Sequence, residues 1–196
     1  MPSNSLSNLT ASIIQSKILC EFYSHTNNAS TNQEKIECAC LNASIACVIG
    51  VWEGYIENVL VEFVEKSKPP KKPWGLTTQF EYVVKKITTD LNTPSWEKVR
   101  ELVISVSGID PISVWIYPPK FVNPQASKEF FDDALKVRHS FAHGFKTPIN
   151  ITGSHSGNVD KGYADLLINF IEHISLETDK LLGHELTVKY GRVHGW

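Results

Sequence analysis

Apolar residues recur every three or four positions along most of the chain and strand-like alternation is nearly absent, a pattern that predicts helices packed on helices. Leu9, Ile13, Ile14, Ile18 and Phe22 mark a first helix, and the Asn-, Ser- and Thr-rich stretch from Ser24 to Gln33 reads as a loop. The longest predicted element runs from about Glu34 to Lys66. There Leu41, Ile45, Val48, Trp52, Ile56, Val59 and Phe63 keep one stripe through more than six turns, the length of a bundle's spine. Gly50 and Gly54 lie one turn apart on it, a spacing that suits close helix approach or a bend.

Three prolines between Lys66 and Trp74 end that helix and predict a basic, semi-rigid connector. Phe80, Val83, Val84, Ile87 and Leu91 define a shorter helix. Trp96, Val99, Leu102, Val103 and Val106 define the next, which starts at Pro94-Ser95. Gly108 to Pro124 breaks the pattern: its prolines interrupt Val114-Trp115-Ile116-Tyr117, a short edge strand or a buried loop. Helix resumes near Ser127 and runs to about His143, with Gly144 placed as a left-handed cap. After a polar loop from Lys146 to Lys161, Tyr163, Leu166, Leu167, Phe170, Ile171, Ile174 and Leu181 trace a last long helix. The expected architecture is one all-α domain over 1–196, a bundle of five to seven helices, with 67–124 as an irregular insertion between the long second helix and the helix ending at His143.

The 196 residues, 42% of them hydrophobic, suffice for a single core without disulfides or metals, which excludes both a disordered chain and a disulfide mini-scaffold. A net charge of -2 excludes whole-molecule attraction to nucleic acid or anionic membrane, so polyanion binding needs a local patch. No apolar run is expected to reach the roughly 18 to 20 residues of a membrane span, and Met1 to Asn8 lacks the features of a signal peptide. A cytoplasmic, membrane-free protein is expected. Cys20, Cys38, Cys40 and Cys47 then read as reduced thiols packed against helices.

Chemistry concentrates in Lys136-Val137-Arg138-His139-Ser140-Phe141-Ala142-His143-Gly144. Asp132, Lys136, His139 and His143 recur at steps of four, three and four and share one helix face. Arg138 sits beside that stripe, above Phe131 and Leu135. A guanidinium held against apolar neighbours needs a carboxylate, carbonyl or phosphate to offset its desolvation.

Arg138-x4-His143-Gly144 resembles the Arg-x4-His signature of the HEPN superfamily. A preceding long helix carrying Trp52-Glu53-Gly54-Tyr55-Ile56-Glu57 is similar to the aromatic and acidic pattern of the second helix in the RiboL-PSP-HEPN and related phage-defence groups, and the helix order agrees. The resemblance implies a metal-independent endoribonuclease, a toxin or defence effector, that dimerises so that two motif helices form one composite cleft. His143 would act as general base or acid on the ribose 2'-hydroxyl and the leaving 5'-oxygen, a task suited to a group titrating near pH 6.5. Arg138 would orient the scissile phosphate and stabilise its added charge. The products would be a 2',3'-cyclic phosphate or 3'-phosphate and a 5'-hydroxyl. A cognate antitoxin or sensor, such as a minimal nucleotidyltransferase, is the partner the resemblance suggests. His139 stands where the family usually has Asn or Asp, which leaves its role between acid-base work, phosphate contact and hydrogen bonding.

His139, Ser140 and Glu57 are the expected supporting residues, and Glu57 or Glu53 the expected ion-pair partner of Arg138. Lys71, Lys72, Trp74 and Lys136 are the candidate RNA contacts, against the plainer reading of the lysine run as solvated surface. No metal site and no cofactor are expected: His139 and His143 have the spacing of two zinc ligands, but only His155 offers itself as a third. Two further readings stay open, a non-catalytic HEPN-like module that binds RNA, nucleotide or protein, and a helical interaction protein in which the motif is coincidence.

Overall fold

The computed structural model describes residues 1–25, 32–68, 75–89, 95–118, 120–144, 148–193 and 196. Among them the chain forms seven α-helices: α1 (Asn4–Ser12), α2 (Ile14–His25), α3 (Gln33–Ser67), α4 (Gly75–Thr89), α5 (Trp96–Ser107), α6 (Pro124–His143) and α7 (Lys161–Tyr190), with one 3-10 turn at Pro111–Ser113. The fold is all-α, as the periodicity predicts.

The long third helix is the spine, with each of the other six α-helices packed against it. Its predicted stripe from Leu41 to Phe63 is buried throughout. Edge-on aromatic pairs fill the centre: Trp52 meets Phe131 with ring centroids 4.8 Å apart, and Trp96 meets Trp115 at 4.8 Å. Such pairs add to the burial of their large apolar areas. Neither Gly50 nor Gly54 serves close approach, because a Cβ on either would meet open space.

The segment that breaks the helical pattern is a largely surface loop with buried anchors rather than an edge strand or a buried loop. Gly108 caps α5 in the left-handed region at φ +76°, and Asp110 caps the following turn through the Ile112 N–H. The chain then plunges Trp115 fully into the core, where its indole N–H donates to Thr178 Oγ1 on α7 at 2.9 Å. Tyr117 and Phe121 share a single antiparallel bridge, all the strand-like pairing among the described residues. Trp96, Val99, Val103 and Trp115, from the stretch expected as an insertion, thus belong to the same buried cluster as α3, α6 and α7.

Three other expectations are corrected. The first predicted helix is two helices meeting at the fully buried Ile13, and α2 turns Ser16 and Cys20 inward, leaving Ile14, Ile18 and Phe22 more than half exposed. On α4, Val84 and Thr88 are buried while Phe80, Val83 and Ile87 lie largely exposed. The stretch Lys35–Ser67 carries an 18-residue window of mean hydropathy 1.4, so α3 has the length and apolarity of a membrane span. Its Ala, Cys and Gly residues extend an apolar run between charged ends. Most of its large apolar residues from Leu41 to Val64 are nevertheless taken up by the bundle, a combination that a core helix also produces.

Two buried acids fasten the start of the chain. Ser3 donates from both N–H and hydroxyl to Asp179, while the N–H groups of Asn4 and Ser5 donate to Glu62, each at 3.1 Å. Trp196 covers the same end of α7, with its ring on Gly183 and its indole N–H on the Asp179 carbonyl at 3.0 Å. Among the cysteines only Cys20 is buried. Its Sγ approaches Asp165 Oδ1 at 3.3 Å, and burial together with that carboxylate pushes its thiol up to about 12.

Candidate active site at the end of the sixth helix

Local sequence sets both ends of the motif helix. Asn123 caps α6 by accepting from the Ala126 N–H, with Pro124 at the first helical position, where its missing N–H costs nothing. At the other end Gly144 takes the left-handed conformation at φ +69°, and its N–H turns back on the Ser140 and Phe141 carbonyls. His143 is therefore the last helical residue, where a histidine cation complements the partial negative charge of the helix terminus.

Arg138 emerges at the margin between the buried face of α6 and solvent. Phe130, Phe131, Ala134 and Val137 anchor the helix in the core, and the Arg138 side chain is 24% exposed. Its guanidinium meets Glu53 end-on: Nη1 donates to Oε1 at 2.6 Å and Nη2 to Oε2 at 3.1 Å. This fork fixes the guanidinium plane while using two of its five N–H donors, so three remain for an incoming anion. Burial raises the Glu53 carboxyl above the usual carboxylate range; Arg138 opposes that shift and the charge of Glu57 adds to it.

Glu57 lies one turn further along α3. Arg138 does not bond it, so of the two acids considered as partners Glu53 is the one that holds the arginine. Partial burial raises the Glu57 carboxyl as well.

His139 and His143 are exposed, and their rings lie 4.4 Å apart at 50°, one turn above the other. At 100° per residue, they stand about 100° and 140° around the helix from Arg138. The imidazoles therefore occupy a face of α6 turned away from Arg138, with the exposed Ala142 at about 40°.

The other expected residues divide. Lys136 is exposed and paired with Asp133 at 2.6 Å. Ser140 is buried and its hydroxyl donates to the Lys136 carbonyl at 2.8 Å, so it braces the helix instead of joining the imidazoles. Asp132 is taken by Lys128. Lys71, Lys72 and Trp74 lie outside the described residues. Among the described residues no three His, Cys, Asp or Glu side chains gather as a metal-binding set, and His155 does not join His139 and His143 in one.

Phe141 has a place that sequence reading left unassigned. It stands 44% exposed one turn beyond Arg138, facing the N-terminal half of α3. No family model, curated protein or solved structure matches the chain.

Proposed function

We propose that this chain is a metal-independent endoribonuclease of HEPN-like type, acting as a toxin or defence effector, with Arg138 and His143 as its catalytic residues. The observation that carries this reading is the arrangement at the end of α6. There an arginine is pre-oriented by a carboxylate and keeps donors in reserve, and two exposed imidazoles stand within five residues of it at the same end of the helix.

RNA hydrolysis without a metal needs a base for the 2'-hydroxyl, an acid for the 5'-oxygen and a cation for the phosphorane-like charge. Imidazole supplies the first two near neutral pH and guanidinium the third. In this reading His143 takes or gives the proton, Arg138 holds the non-bridging oxygens, and Glu53 positions Arg138. Two copies of the chain bring their motif helices together, so acid and base come from different protomers. A separately encoded antitoxin or sensor restrains the activity.

The test is incubation of the purified protein, in EDTA, with mixed RNA and matched DNA. Wild type is expected to cut RNA into products with cyclic phosphate ends and to leave DNA intact. His143→Ala and Arg138→Ala should each lower the rate by about 10²-fold or more. RNA left intact by wild type, even after addition of a purified partner or nucleotide, overturns the reading.

That outcome would favour a non-catalytic HEPN-like module that binds RNA, nucleotide or protein. The end-on Arg138–Glu53 pair supports this second reading, since an arginine already neutralised by a carboxylate can serve the fold alone.

A further inference from the structure

Seven histidines are spread along the chain, and His139 and His143 are the two that stand one helical turn apart. Both are exposed at the end of α6, with ring centres 4.4 Å apart and planes inclined at 50°. Histidines four residues apart project from one face of a helix, the spacing by which a single helix offers two ligands to a metal ion.

The separation of the rings says which ion fits. An imidazole nitrogen binds a metal at about 2.0–2.1 Å, which puts each ring centre roughly 3.2 Å from the ion. Rings 4.4 Å apart then subtend close to a right angle at it, whereas a tetrahedral pair would hold its ring centres roughly 5.2 Å apart. A right angle separates neighbouring ligands in square-planar and octahedral coordination, the geometries of Cu²⁺ and Ni²⁺, and both ions favour imidazole. Because the side chains are exposed, each ring can turn about its Cβ–Cγ bond to aim a nitrogen at a common point.

The surroundings accept a cation. The pair stands at the C-terminal end of a 20-residue helix, where the last carbonyls carry partial negative charge. A Cβ on Gly144, next to His143, would meet nothing within 4 Å, so there is room for the waters that fill the remaining coordination positions. Lys136 shares the face one turn before His139, but it lies 2.6 Å from Asp133, which offsets its charge. Arg138 points to another side of the helix and is held by Glu53.

We propose that His139 and His143 form a two-imidazole clamp for a divalent transition-metal ion of right-angle geometry, one ion per chain. On binding, two neutral imidazole nitrogens replace two waters of the hydrated ion. The clamp also gives the candidate active site a regulator, and this part rests on the ribonuclease reading above. While the ion occupies the imidazole lone pair, His143 neither takes nor gives a proton. An enzyme that needs no metal to act is thus restrained by one, and removal of the ion releases it.

The experiment titrates Ni²⁺ into the untagged full chain by isothermal calorimetry; Ni²⁺ is chosen because it leaves thiols such as the exposed Cys38 unoxidised. One ion per chain is expected. His139→Ala and His143→Ala should each weaken binding by about tenfold or more, while His155→Ala leaves it within about twofold. Both residues of the pair are exposed, so the variants should melt as wild type does without metal. In excess Ni²⁺ wild type alone should melt higher, since the ion binds the folded helix and not the open chain. Absence of binding by wild type, or binding that survives either substitution, overturns the clamp. The restraint is read separately. Cleavage of RNA by wild type should fall to half at a free Ni²⁺ concentration matching the calorimetric Kd and recover in excess EDTA; cleavage that persists at saturating Ni²⁺ overturns the restraint. Ni²⁺ held by both histidines with RNA uncut in EDTA ends the ribonuclease reading and keeps the clamp, whereas RNA cut in EDTA with no Ni²⁺ bound does the reverse.

Discussion

Glu53 serves Arg138 at some cost to itself. Its carboxyl is raised chiefly by burial, and a group whose folded value lies above its unfolded value binds its proton more tightly in the native state. Its contribution to stability is therefore present in full below the ordinary carboxylate value and is lost as pH rises through the raised one. Glu53→Gln removes that titration. The melting temperature of the variant relative to wild type should climb as pH rises through the interval just above 4.5, and a parallel pair of melting curves across that interval would contradict the assignment. Spacing alone does not choose between Glu53 and Glu57, which share a face one turn apart. The choice follows from the antiparallel level of the two helices and from the lean of a helical side chain toward its own N-terminus, which carries Arg138 back along α6 toward the level of Glu53. Neither the level nor the lean is visible in the chain read alone.

At the scale of the element, α2 shows how an apolar stripe can mislead. Leu9, Ile13, Ser16 and Cys20 form one helical series, and Ile14, Ile18 and Phe22 another one step round. Hydrophobicity favours the second; the fold buries the first. Small side chains let α2 close on α3, and Ser44 seals the contact by donating its hydroxyl to the Ser16 carbonyl at 2.8 Å. Ile18→Ser should accordingly change the urea unfolding free energy by no more than about 0.5 kcal/mol, whereas Ile13→Ala should cost about 2–5 kcal/mol. Equal losses would show that α2 packs by its apolar face after all. Helices with strong punctuation were read more closely: Ser95 caps α5 and Gly144 ends α6 where their residue types say they should. The apolar periodicity starts α6 three residues late, because Asn123 and Pro124 continue the irregular, proline-rich run before it.

Over the whole molecule, the class and the spine were legible because a core helix repeats its signal over many turns. The 108–124 loop was not, because its order comes from distant groups: Trp115 is placed by Trp52, Trp96 and Thr178, each on a different helix. The same long-range dependence makes Cys20 informative. With its thiol pushed up to about 12, only about one molecule in ten thousand carries the reactive thiolate there at pH 8, and the sulfur is sealed between α2 and its neighbours. The exposed Cys38 has no such shelter. In a timed alkylation followed by peptide mass spectrometry, Cys38 should be modified first and Cys20 last, at a rate that rises with urea; early modification of Cys20 would mean that α2 is not seated as described. Cys20 is thus a built-in clock for the opening of the bundle. Each alkylated Cys20 records one excursion in which α2 lifted away, so a single reagent counts the moments when the fold was open.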